Sequence, residues 1–248
     1  MPASNLPKEP FLIEDPVRLA FCHVMRPRFF DERTSKFREP TDSDAKDRLS
    51  YSAQFMFDAD SPDLLAIKTL AGKLLEQHGA SRDAKGVFVT SGFTDPRTGK
   101  DIPPADLQLP WETGEDVIAA GQRKHGDKAY NNELLRGKVV LKANTKTEPY
   151  LSLFENGVMR DFFTVETRGM ADRYFFNGVY VVGAIVVALH AAGTNKPGVK
   201  CYLNHLVSLN KGERLAGSQV PTAEKFAGFI GRQSAVDPTA GQATKQPW

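Results

Sequence analysis

Residues 138–146 read KVVLKANTK, and their alternation decides the fold class. Val139, Leu141 and Ala143 fall on one side, while Lys138, Lys142, Asn144 and Lys146 fall on the other. A period of two marks a half-buried β-strand, apolar toward a core and polar toward solvent. The same period recurs on both sides of this stretch. Upstream, Val17, Leu19, Phe21, His23 and Met25 share a face opposite Arg18, Ala20, Cys22, Val24, Arg26 and Arg28. Tyr51, Phe55 and Phe57 are in phase within a second strand at 49–57. Downstream, a long strand is expected from Phe175 to His190. After Asn195-Lys196-Pro197-Gly198 comes another, in which Val199, Cys201, Leu203, His205 and Val207 lie opposite Lys200, Tyr202 and Asn204.

One helix interrupts the strands. Ser61 is an N-cap residue, Pro62 suits the first helical position and Asp63 complements the helix dipole. Leu64, Ile67, Ala71, Leu74 and His78 repeat at helical spacing, and Gly79 closes the segment. The charged segment after Phe29-Phe30, running to Asp47, has no period and reads as a long loop. Residues 80–115, dense in Gly, Pro and Asp, predict turns and short strands. A short helix is expected at 224–230, anchored by Phe226 and Phe229. Two strands, a helix and at least three further strands fit either a five-stranded Greek-key barrel with long loop insertions or an α+β sandwich. The expected organisation is a loose Pro-rich arm at 1–15, one domain at 16–232 and a flexible tail at 233–248.

Composition narrows the function classes. Hydrophobic residues make up 41% and charged residues 25% of the 248 positions, which is ordinary for a soluble globular chain. Net charge is only +2, so affinity for a polyanion has to come from local clusters of Lys and Arg. Cys22 and Cys201 make neither a disulfide framework nor a zinc site and are expected as reduced core residues. The run Val179 to Ala192 falls short of the ~20 apolar residues of a spanning helix. Rich in Val, it reads as a buried strand, so no membrane partner is expected. The first ten residues lack the basic-then-apolar pattern of a signal peptide.

Catalytic motifs find no support. Gly92 to Lys100 superficially resembles a phosphate-binding loop, but its glycines are two residues too far apart. Asp101 stands where a Mg²⁺-binding hydroxyl belongs. Asp95-Pro96-Arg97-Thr98-Gly99-Lys100 is a turn sequence instead. His23, His78, His125, His190 and His205 do not pair with another His, Cys or Glu at metal-ligand spacing. Asp161, Glu166 and Asp172 are the acids that a metal-dependent nuclease would need to cluster, and they read as loop surface. No catalytic residue, metal or cofactor is expected, and the chain reads as a non-enzyme.

Basic residues interleaved with aromatics carry the positive signal. Between Gly121 and Lys146 stand Arg123, Lys124, Lys128, Arg136, Lys138, Lys142 and Lys146, against Asp127 and Glu133 alone, with Tyr130 and Tyr150 within or beside the run. Lys200 and Tyr202 repeat the pattern on the last strand, and Arg26, Arg28 and Phe29 at the end of the first. Cations that track phosphates and rings that stack on unpaired bases are what a single-strand binder needs. The candidate DNA-binding set is therefore Arg26, Arg28, Phe29, Arg123, Lys124, Lys142, Lys146, Tyr150, Lys200 and Tyr202. A solvated strand face explains Lys138, Lys142 and Lys146 equally well when they are taken alone. A phage assembly protein that uses the basic faces for protein contacts is the alternative from another class.

The order of segments resembles a family of bacteriophage single-stranded DNA-binding proteins with an oligonucleotide-binding (OB) fold. The segments that carry the resemblance are VRLAFCHVMRPRFF at 17–30, YSAQFMF at 51–57, the helix at 61–78, LPWETGED at 109–116, KVVLKANTK at 138–146 and YFFNGVYVVGAIVVAL at 174–189. The most specific is GVKCYLNHLVSLNKGERLAG at 198–217. The resemblance implies a mainly β OB-fold barrel with one or two helices. It implies sequence-independent binding and protection of single-stranded DNA during phage replication, recombination or repair, in the cytoplasm of the infected host. Phage replication or recombination proteins and further copies of the chain are the protein partners it would bring. Many such proteins end in an acidic tail; here the tail from Gln233 carries only Asp237 and Lys245 as charges and ends in Trp248. Strand holding is thus the implied role, rather than tail-mediated recruitment.

Overall fold

The computed structural model describes residues 9–31, 34, 36–41, 49–125, 133–162, 165–190 and 196–215. The chain divides into two units, Met1–Arg214 and Leu215–Trp248. The first unit holds every element below. The helix expected at 224–230 and the tail lie outside the described residues, as do Lys128 and Tyr130.

The elements run in chain order β1 (Phe11–Asp31), β2 (Lys36–Arg38), β3 (Leu49–Asp58), α1 (Pro62–Gln77), β4 (Ser81–Arg82), β5 (Phe88–Thr90), β6 (Trp111–Thr113) and α2 (Gly114–His125). They continue with β7 (Lys138–Thr145), β8 (Tyr150–Glu155), β9 (Val158–Asp161), α3 (Val165–Ala171), β10 (Tyr180–His190) and β11 (Gly198–Ser208). Five strands close on one another in the order β1-β3-β7-β11-β10-β1. All these contacts are antiparallel except β7 with β11, where Cys201 pairs with Ala143 and Tyr202 with Asn144 in parallel. This closed, mixed five-stranded barrel is the OB-fold, and it removes the α+β sandwich.

Inward-facing alternate residues fill the barrel: Leu19 and Val24 of β1, Phe55 and Phe57 of β3, Leu141 and Ala143 of β7, Ile185 and Val187 of β10, and Cys201 and Leu203 of β11. Helix α1 joins this core through Leu64, Ile67, Ala71 and Leu74, the positions its period predicts. Ser61 makes no side-chain cap. Asp63, in the first turn, instead accepts the backbone N–H groups of Glu14 and Asp15 at 3.1 Å each, tying the helix to the start of β1. His78 leaves the expected apolar face, lying exposed beyond the last turn with its ring packed on Phe93 at 4.3 Å. Gly79, at φ 107°, turns the chain out of the helix.

Several boundaries differ from expectation. β1 begins at Phe11, which pairs with Ile185, so residues 11–15 are strand where the Pro-rich composition predicts a loose arm. Pro16 is accommodated because the register shifts between Ile13 and Val17. β10 begins at Tyr180 rather than Phe175; Phe175 is buried between α3 and that strand. The segment 147–174 holds the hairpin β8–β9, turned by Asn156 and Gly157 at φ 53° and 78°, the two positive values of a type I′ turn. No helix among the described residues is long and apolar enough to cross a membrane, and Tyr180–His190 is strand.

Cys22 and Cys201 are free, and burial pushes both thiols up to about 12. The Asp95 turn forms as read: its carboxylate accepts the Arg97 N–H at 2.8 Å and the Thr98 hydroxyl at 3.0 Å. Phe55, with none of its surface exposed, sits where β3 meets the barrel interior. Replacing it with Ala is expected to cost about 3–5 kcal/mol, measured by denaturant unfolding. A loss below ~1 kcal/mol would mean that the barrel core is not packed as described.

Candidate nucleic-acid interface

Three of the predicted cations meet in one groove. It lies on the outer face of β1, β3 and β7, is walled by α2, and encloses about 450 Å³. Arg28 comes from β1, Lys142 from β7 and Lys124 from α2. Between them lie Phe21 and His23 of β1, Ser50, Ser52 and Gln54 of β3, and Asn144 of β7.

Strand bulges put this set together. A strict alternation from Val17 would send Phe21 and His23 inward with Leu19. The register instead slips between Leu19 and Phe21: Leu19 pairs with Phe55, yet Phe21 pairs with Gln54. One extra residue reverses parity, so Phe21 and His23 face the groove and Val24 enters the core. Asn177 supports the slip by accepting the Cys22 N–H on its side-chain oxygen at 2.8 Å. A second irregularity, between His23 and Arg28, brings Arg28 opposite Ser50 on the groove side. β11 repeats the device. Ala184 pairs with His205 and Ile185 with Leu203, so Asn204 is the extra residue. Leu206, not His205, then fills the core, which corrects the face predicted for His205 and Val207.

Register extends the groove floor into a row. His23 pairs with Ser52, Ser52 with Asn144 and Asn144 with Tyr202. A parallel row joins Phe21, Gln54 and Lys142. The floor therefore mixes rings, hydroxyls and amides, with the cations at its rim. Gln54 Oε1 is shielded there without a hydrogen-bond partner among the described residues.

Helix α2 is the element that the basic run concealed. Thr113 caps it, accepting the Asp116 N–H at 3.1 Å while its hydroxyl donates to the Asp116 carboxylate at 2.7 Å. This is a capping pair, and Thr113-Gly114-Glu115-Asp116 ahead of Val117-Ile118 was its signature in the sequence. Gly114 has no room for a side chain: a Cβ there would lie 1.6 Å from the Leu135 carbonyl oxygen. The helix start is thus pressed backbone to backbone against the turn at 133–135.

The apparent excess of cations shrinks once the chain folds. Lys138 pairs with Asp58 and Lys142 with Glu112, acids brought from outside the run, and Arg136 pairs with Glu133. Arg123, Lys124 and Lys146 have no ion pair among the described residues and are exposed. Arg26 is exposed and does not line the groove. Phe29 is buried, with the Arg38 guanidinium 4.5 Å above its ring, so it is not an open stacking surface. Lys200 and Tyr202 are half-buried on β11, and burial lowers the Lys200 ammonium from its ordinary value. Tyr150 stands apart from the groove, on β8, where it pairs with His205. Asp161 accepts the Ser152 hydroxyl, and no group of three His, Cys, Asp or Glu among the described residues is placed to hold a metal ion.

No family profile matches the sequence, and no curated protein matches it. Solved structures do match. The fold is similar to that of the single-stranded DNA-binding protein from bacteriophage Enc34 in complex with ssDNA, with a TM-score of 0.49 and 13% identity over 81% of this chain and 86% of that one. A second structure, of the single-stranded DNA-binding protein from bacteriophage Enc34, aligns at 0.49 and 13% over 85% and 87%. Gp2.5, the single-stranded DNA-binding protein of bacteriophage T7, aligns at 0.35 and 10% over 92% and 94%. At 10–13% identity the likeness is one of fold alone.

Three histidines near the outer face are held below their ordinary value. Burial lowers His23, His190 and His205; Arg28 adds to the effect at His23 and Lys200 at His190, while Asp161 opposes it at His205. The unfolded chain therefore takes up protons near pH 6.5 that the folded protein refuses. The resulting stability is fully present above that pH and is lost as pH falls below it. The melting temperature should hold steady from pH 8 to 7 and drop from about pH 6.5 downward, with a smaller drop in His23→Gln. A flat profile over that lower range would contradict the assignment.

Proposed function

We propose that this chain binds single-stranded DNA in the groove between the β1–β3–β7 face and α2, without reading base sequence and without catalysing a reaction. The observation that carries this reading is the convergence of Arg28, Lys124 and Lys142 on a floor of rings and amides, on the strand face that OB-folds use for oligonucleotides. The parts divide the work by chemistry. Rim cations neutralise phosphates and release counterions. Phe21, His23 and Tyr202 offer π-faces, which every base can use. The groove suits one flexible strand because bases have to reach its floor, and a duplex keeps them stacked inside. Service in phage replication, recombination or repair, within the host cytoplasm, follows from the sequence resemblance and belongs to the same proposal.

Fluorescence anisotropy with oligo-dT over a salt series tests this reading. Affinity should fall linearly on a log–log plot, and the single strand should outcompete a duplex of the same length. Arg28→Ala and Lys124→Ala should each weaken binding and reduce the slope by about 1. Binding that ignores salt, or no binding at all, would overturn the proposal.

At Lys142, Glu112 holds the ammonium at 2.6 Å. Both side chains are part-exposed, so the pair adds little stability but occupies the charge. Glu112→Gln should therefore tighten oligo-dT binding several-fold and steepen the salt dependence, with thermal stability nearly unchanged. Weaker binding in this variant would show that the carboxylate itself helps to hold the ligand.

A further inference from the structure

The geometry points to a second nucleobase subsite outside the groove, a stacking corner formed by Tyr150 and His205 where β8 meets β11. It rests on the single-strand reading above and extends the path of the same strand.

Tyr150 leaves 59% of its surface exposed, and its ring meets that of His205 at 70° with centroids 6.2 Å apart. Two rings at that angle make a corner: a base that stacks on one presents its edge to the other, the geometry aromatic groups prefer. The corner is built rather than incidental. Ser152 Oγ donates its single hydrogen to Asp161 at 2.6 Å, so His205 Nε2, 2.8 Å from the same oxygen, has to be the donor there. That chain of two hydrogen bonds fixes the ring's orientation and its tautomer, leaving Nδ1 as the acceptor of the neutral imidazole. Ser152 is fully buried, so the relay serves to hold the ring and is not open to attack a substrate.

Continuity with the groove argues for a base as the occupant. Asn144 of the groove floor pairs with Tyr202, and His205 lies three residues farther along β11, on the order of 10 Å at strand rise. Lys146, exposed and without an ion pair among the described residues, stands on the turn that leads from β7 to Tyr150. Lys146 thus stands in chain order between Asn144 of the groove floor and Tyr150 of the corner, a cation for the phosphate that joins the two sites on this path. The nearest acid on that turn, Glu148, is engaged by Arg168.

The test compares an oligo-dT of about 5 nucleotides with one of about 15, within the range that single OB-folds occupy. Tyr150→Leu keeps the apolar bulk and removes the ring. It should bind the short oligonucleotide like the parent chain and the long one about 5- to 150-fold more weakly, while Tyr150→Trp restores the long-strand affinity. Arg28→Ala, in the groove, should weaken both lengths. Equal binding of both lengths by parent and Tyr150→Leu overturns the subsite and leaves the groove standing. Failure of the parent chain to bind either length overturns the groove reading, and the subsite falls with it. A change in oligomeric state on light scattering, with DNA affinity unchanged, would assign the corner to a second copy of the chain and also overturn the proposal. Because Tyr150 is so exposed, the variant should melt like the parent, which separates lost stacking from lost folding.

Discussion

Two residue pairs, Cys201 with Ala143 and Tyr202 with Asn144, join β11 to β7 and turn an open sheet into a barrel. The rest of the molecule depends on that short parallel seam. Without it β7 beyond its pairing with β6, and β11 ahead of its pairing with β8, would each present an unsatisfied edge, and the core between them would open to water. With it, Ala143 and Cys201 complete the interior while Asn144 and Tyr202 continue the outer row. Closure therefore creates the core and the contiguous exterior face in one step.

Closing only five strands demands strong bending, and the bulges supply it. Their second effect is chemical. Each extra residue exchanges the inner and outer faces for everything beyond it, which is how Phe21, His23 and His205 come to face outward. These parity changes were not legible from periodicity, because a slipped strand keeps the same composition and its bulge is set by the partner strand. The main strands and α1 could be read, since their apolar residues recur at fixed spacing; the barrel rested on the resemblance of the segments, because spacing alone left an α+β sandwich open. Two other features were written plainly and yet outweighed: the Thr113–Asp116 cap under a run of charges, and Asn156-Gly157 between alternating residues.

The candidate site was legible in part for a related reason. Lys124, Lys142 and Arg28 could be named from local charge, and they do meet. What local counting missed was the acids contributed from elsewhere. Asp58 lies far from the basic run in sequence and Glu112 just ahead of it, and both lie beside it in the sheet, because β3 and β6 flank β7. Phe29 failed for the opposite reason: an aromatic beside arginines can be the surface on which an arginine rests. Charge and ring patterns name the ingredients of such a site, and strand order decides which of them remain accessible.

The Lys142–Glu112 pair has a kinetic meaning beyond its electrostatics. Glu112 offers Lys142 an anion that never diffuses away, so on the proposed reading an arriving phosphate has to displace it and a departing phosphate is replaced at once. A tethered competitor of this kind shortens the dwell of whatever anion Lys142 holds. On the proposed reading, the groove is thereby suited to exchange, in which a held strand is released as readily as it is taken up.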